Sequence, residues 1–180
     1  MVETIVEAVR INVVTEQHLV ILKELEGGRI FPIFIGPDVA QAIALKLQGA
    51  DIPRPQTHDL LQNVIGELGG VVERVVVNDL RENVFFALID VNLNGKVVTI
   101  DSRPSDAIAL AVRTQSPIFI EDHVADQAGK IVTTAVAQEA ESEIGTGMGQ
   151  PADPVENERL NVFRNFINSM DVEDPEKDRE

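Results

Sequence analysis

The chain has 180 residues, 44 % of them apolar, and a formal net charge of −15. With no cysteine it can form neither a disulfide nor a thiolate metal site. With no Trp, no Tyr and seven Phe it also lacks the basic and aromatic surface of a general nucleic-acid binder.

Residues 1–138 hold 18 acids and 11 bases, and residues 139–180 hold 12 acids and 4 bases, so both parts are acidic. No apolar run approaches the ~20 residues needed to span a bilayer, and MVETIVEAVRINVV has no basic leader region. The expectation is a cytoplasmic protein without membrane association, built as one ordinary domain plus an appendage.

Residues 2–14 are rich in Val and Ile and read as a strand. HLVILKEL (18–25), Gly27-Gly28 and RIFPIFI (29–35) read as a hairpin. Gly36-Pro37-Asp38 opens a helix, with proline in the first turn and a carboxylate near the positive end of the helix dipole. Val39, Ile43 and Leu47 form its apolar stripe, and Gly49 ends it. DIPRPQTHDLL (51–61) follows, with Thr57 as the expected N-cap of a second helix. The apolar face of that helix would be Leu60, Leu61, Val64, Ile65 and Leu68.

VVERVVV (71–77) reads as a strand, and VFFALIDVNL and KVVTI, joined by Asn94-Gly95, as a second hairpin. DSRPSDAIALAVRTQ (101–115) reads as a third helix and PIFI (117–120) as a closing strand. AIAL occurs at 42–45 and again at 107–110, 65 residues apart, each time after a strand and a hairpin, with Ile35 and Ile100 in equivalent places. The spacing suggests a duplicated βββα unit with residues 51–68 inserted after the first copy, although Ala-Ile-Ala-Leu is also an ordinary buried-helix string. The fold class expected is α+β, with mixed or antiparallel sheets and about three core helices.

The domain is expected to span residues 1–127, followed by a flexible acidic linker over 128–156. Leu160, Phe163, Ile167 and Met170 place an amphipathic helix over 157–172, which needs the domain or a protein partner to dock on. A charged tail, 173–180, completes the chain.

Arg54-Pro55 and Arg103-Pro104 each stand shortly before a helix with an early aspartate. Extended backbone ahead of a helix start directs N–H groups and a guanidinium at one spot, which suits a phosphate; an Arg–Asp lock with proline starting the helix is the plainer reading. His58 is the candidate acid–base group, because an imidazole can take or give a proton in phosphodiester cleavage. Asp59 is its neighbour, although adjacent helical residues point apart. Asp101, Ser105 and Asp106 form a second polar cluster, where Asp101 and Asp106 could hold Mg²⁺ or Mn²⁺ or Ser102 or Ser105 could cap the helix.

IFPIFIGPDVAQAIALKLQG, PRPQTHDLL and VVTIDSRPSDAIALAVRTQSPIFI together resemble the bifunctional nuclease family, bacterial and plant domains credited with DNase and RNase activity. The likeness covers roughly residues 3–127, and RLNVFRNFINSMDVEDPE resembles the helical tail that often follows that domain. The matching positions are Pro53, Arg54, Pro55, Thr57, His58 and Asp59, then Asp101, Arg103, Pro104, Ser105, Asp106 and Ala107. The resemblance implies an α+β domain, usually a homo-oligomer, acting on DNA or RNA.

On that reading Arg54, Arg103, Thr57 and Ser105 hold phosphate, His58, Asp59 and Asp106 do acid–base work, and Asp101 and Asp106 take the metal. The alternative is a non-catalytic oligomeric scaffold whose two loops are structural. The enzyme needs segments 54–59 and 101–106 to meet.

Overall fold

A computed structural model describes residues 1–12 and 17–131; the expected linker, amphipathic helix and charged tail beyond residue 131 lie outside the described residues. The described elements are β1 (Val2–Asn12), β2 (Gln17–Glu24), β3 (Arg29–Ile35), α1 (Pro37–Leu47), α2 (Thr57–Glu67) and β4 (Gly70–Arg81). After them come β5 (Val84–Leu93), β6 (Lys96–Ser102), α3 (Pro104–Thr114), β7 (Ile118–Ile120), α4 (Asp122–Ala128) and β8 (Lys130–Ile131). The architecture is α+β. α4 and β8 extend the fold past residue 127, where the domain was expected to end, because β8 pairs with β3.

All strands join one sheet in the order β6-β5-β4-β7-β1-β2-β3-β8. Each half is an antiparallel meander. Between them the three-residue β7 runs parallel to β4 and antiparallel to β1, so one short strand stitches the halves together. Pro117 and Glu121 extend the seam through backbone bonds to Val75 and Val77.

The two βββα units are present, and their offset is 67 residues. Arg29–Ile35 and Lys96–Ser102 are strands of equal length, and Pro37–Leu47 and Pro104–Thr114 are helices of equal length. The turn glycines Gly28 and Gly95, both at positive φ, keep the same spacing. The 65-residue AIAL match is therefore out of register with the fold, and Ile35 corresponds to Ser102 rather than to Ile100. Helix α2 is the inserted element.

Ile43, Ile108, Leu110 and Val124 pack with Leu22, Phe31, Val75, Ile89 and Ile120 in one hydrophobic cluster. Helix α3 is buried from Ala107 to Ala111 because α1 and α2 flank it and β4 and β5 lie beneath; small alanines permit that close approach. The helical layer stops short of β6, whose core-facing Val98 and Ile100 stay exposed. Side chains alternate along strands, so the other face of the sheet carries Ile5, Phe34, Val71 and Val97, all exposed. Among the described residues no helix is long and apolar enough to cross a membrane.

The rotation of α2 corrects the expected face. Leu60, Leu61, Val64 and Leu68 are exposed, and only Ile65 of that set is half-buried. The inward side is His58, Gln62 and Ile65. Polar contacts at the first turn, described next, set this rotation.

Candidate functional site

Pro53 and Arg54 form a bend, and Pro55 leads on to Gln56, whose extended backbone precedes α2. The N-cap is Gln56, not Thr57, which occupies the first helical position and is exposed. The Gln56 amide donates to Asp59 Oδ2 at 2.9 Å, so Asp59 satisfies one of the free donors of the helix start. One step around the helix, His58 faces α3 instead. Its Nε2 lies 3.2 Å from Asp106 Oδ1, and Asp106 Oδ2 accepts from Arg103 Nε at 2.6 Å. The two motif segments therefore meet, through His58 and Asp106.

Ionised Asp106 can only accept, so it holds the Nε2–H tautomer of a neutral His58 and leaves Nδ1 as the basic atom. The His58 side chain is 9 % exposed. Asn78 Oδ1 is the one fully buried side-chain polar atom without a partner among the described residues. Nδ1, which bonds to no protein group, therefore keeps some access to solvent. Arg103, the N-cap of α3, is 75 % exposed and reaches Asp106 from outside. Burial pushes the Asp106 carboxyl up, but the hydrogen bonds from Arg103 and His58 outweigh it and leave it below the usual aspartate value.

Asp59 does not pair with His58. Its Oδ1 accepts from Arg113 Nε at 2.6 Å, and the Arg113 side chain is 1 % exposed. Arg113 also donates to the carbonyls of Ala109 and Ala42 and to Gln56 Oε1, at 3.0, 3.2 and 3.2 Å, tying α1, α2 and α3 together. Burial raises Asp59, and the Gln56 amide and Arg113 more than compensate, so it too titrates below the usual value. The sequence reading missed Arg113 and Gln56. The available signal was a single cation in the otherwise apolar AIALAV run: a helix buried on every side must pair any charge it carries.

Arg54 and Arg103 do not share a cleft. Arg54 lines a separate opening of about 300 Å³ with Lys46, Asp59, Asn63 and Arg113. Ser105 is half-buried at the second position of α3, and neither it nor Ser102 caps the helix; the Ser102 hydroxyl donates to the Arg103 carbonyl. Asp101 belongs to β6, opposite Leu88, on the sheet face away from the helices.

Asp101 and Asp106 thus point apart, and both Asp106 oxygens already face Arg103 and His58. Among the described residues no group of three or more His, Asp or Glu side chains could hold an ion. Asp101 and Asp106 therefore do not converge as the carboxylate ligands of one Mg²⁺ or Mn²⁺ ion.

The family model of the bifunctional nuclease domain matches residues 20–133. An uncharacterized protein of Mycobacterium tuberculosis is 35 % identical over 174 residues, covering 97 % of this chain and 98 % of its own. Bifunctional nuclease 2 of Arabidopsis thaliana is 25 % identical over 86 % of this chain and 50 % of its own length. Bifunctional nuclease 1 of the same plant is 28 % identical over 67 % and 40 %. With more than half its length matched by that family, and with both motif segments brought together at His58 and Asp106, the chain belongs to the bifunctional nuclease domain family.

Proposed function

We propose that the chain hydrolyses phosphodiester bonds of DNA and RNA, with His58 as the acid–base group. The observation that carries this reading is the 3.2 Å contact between His58 Nε2 and Asp106 Oδ1, which joins two motifs 48 residues apart. Asp106 orients the ring and stabilises the imidazolium formed when Nδ1 takes a proton. Water attacks phosphorus, its proton passes to Nδ1, the P–O bond to the leaving oxygen breaks, and that oxygen takes up the proton. Arg103, anchored but exposed, offers its remaining N–H groups to the phosphate, with Thr57 and Ser105 on the flanking turns.

Asp59 acts through Arg113 in fixing the turn that carries His58. A homo-oligomer in a cytoplasmic setting belongs to this reading; the uncovered apolar residues of α2 and of the open sheet face support self-association.

The test is hydrolysis of single- and double-stranded DNA and of RNA in Mg²⁺, Mn²⁺ or EDTA. His58→Ala should lower kcat by about 100-fold or more, the usual worth of acid–base catalysis, and Arg103→Ala should raise KM. An inactive wild type, or variants that match it, would overturn the reading. A scaffold role is favoured by the burial of His58 and by the enclosed Arg113–Asp59 pair. It requires no hydrolysis under any of these conditions and a His58→Ala effect confined to thermal stability.

A further inference from the structure

Among the described residues, six of the eleven Lys and Arg side chains form an ion pair with a carboxylate, as expected in so acidic a chain. Lys46 and Arg54 form none, and both line the 300 Å³ cleft at the lead-in to α2. Two cations outside any contact ion pair concentrate positive potential in one concavity, although Lys46 also attracts Asp59 at longer range and the chain as a whole is strongly negative.

The cleft also holds two carboxylates. Asp59 is neutralised by Arg113 at 2.6 Å, and Asp51 is exposed at the rim. Three cations against two anions leave the lining positive. Arg54 sits between Pro53 and Pro55, so little backbone freedom remains to be lost when its guanidinium engages a ligand. Asn63 adds an amide, and Ile52 and Pro55 give the cleft an apolar wall.

We propose that this cleft is a phosphate site distinct from the His58–Asp106 pair. It would take the phosphate of a mononucleotide or of a polynucleotide strand, with Arg54 and Lys46 as the binding cations. An arginine fork and a lysine point charge are complementary phosphate ligands. The volume, at the small end of ligand pockets, suits one phosphate and the sugar or base beside it. Only the choice of a nucleotide over another phosphate rests on the phosphodiesterase reading; the anion site stands on the cleft itself.

The experiment is titration of the full chain with inorganic phosphate, a nucleoside 5′-monophosphate and a short single-stranded oligonucleotide, followed by calorimetry. Wild type is compared with Arg54→Gln, Lys46→Gln and Arg10→Gln. Arg54→Gln and Lys46→Gln should each weaken phosphate-bearing probes by about tenfold without altering the circular dichroism. Arg10→Gln, an exposed arginine on β1 outside the cleft, should bind as wild type does.

Tighter binding of the oligonucleotide than of the monophosphate assigns the site to a strand, and the reverse assigns it to a free nucleotide. Absence of binding for every probe, unchanged affinity in the two cleft variants, or an equal loss in Arg10→Gln would overturn the site. Binding by a chain that hydrolyses nothing would leave the phosphate site standing and remove the nuclease.

Discussion

Asp106 commits one oxygen to His58 and the other to Arg103, while Asp59 does the same for Arg113 and the Gln56 amide. In both, burial alone would raise the carboxyl, and the hydrogen bonds drive it lower instead. A native value below the unfolded one, near 3.9, means that the stabilisation is complete above that value. It is lost as pH falls through the depressed native value. The thermal midpoint should therefore drop on acidification below about pH 4, and Asp59→Asn and Asp106→Asn should each flatten that drop. The two pairs differ in depth. Asp59→Ala strands the enclosed Arg113 charge and should cost about 3 kcal/mol in urea denaturation, whereas Arg103→Ala, at an exposed site, should leave the urea midpoint nearly unchanged. His58 and Asp106 were legible because both lie in long motif strings. The sequence leaves open which of Asp59, Asp101 and Asp106 orients His58. Which aspartate serves which cation is decided by how α2 and α3 dock, and no local pattern records it.

Helix α2 shows where periodicity stops being informative. Its leucines and valine mark an apolar stripe, but a stripe does not say whether the sheet or the solvent receives it. Here His58, Gln62 and the Asp59–Arg113 bond turn the helix so that Leu61, Val64 and Leu68 face outward, Leu68 at 70 % exposure. Leu61→Gln and Leu68→Gln should change the unfolding free energy of the isolated chain by less than about 0.5 kcal/mol. Ile108→Ala, fully buried in α3, should cost about 2–5 kcal/mol in the same urea titration. Comparable losses at the two kinds of site would mean that the helix is rotated the other way. Strand limits slipped for a related reason: Asp101 and Ser102 look like a helix lead-in yet pair with β5, because the edge of a hairpin can continue until proline stops it.

Across the whole molecule, the 67-residue offset links two meanders whose shared core spans both. The sequence suggests the repetition through the AIAL string, whose 65-residue spacing misplaces Ile100, whereas the turn glycines and helix-opening prolines carry the 67-residue offset of the fold. The union of the halves was not visible, since it depends on Ile118–Ile120, three residues that any closing strand could contain. Ile120→Ala should lower stability by about 2–5 kcal/mol. Unfolding should remain a single transition in both fluorescence-free probes, far-ultraviolet dichroism and amide exchange, because neither half keeps its core without the other. That seam also bears on how the chain is made. Thr4 bonds to the carbonyl of Ile118 across 114 residues, so at about 5–20 residues per second a ribosome leaves the outer rim of β1 unzipped for roughly ten seconds. During that interval a nascent polypeptide offers neighbours a bare strand edge, a template on which another copy can pair before its own C-terminal half arrives.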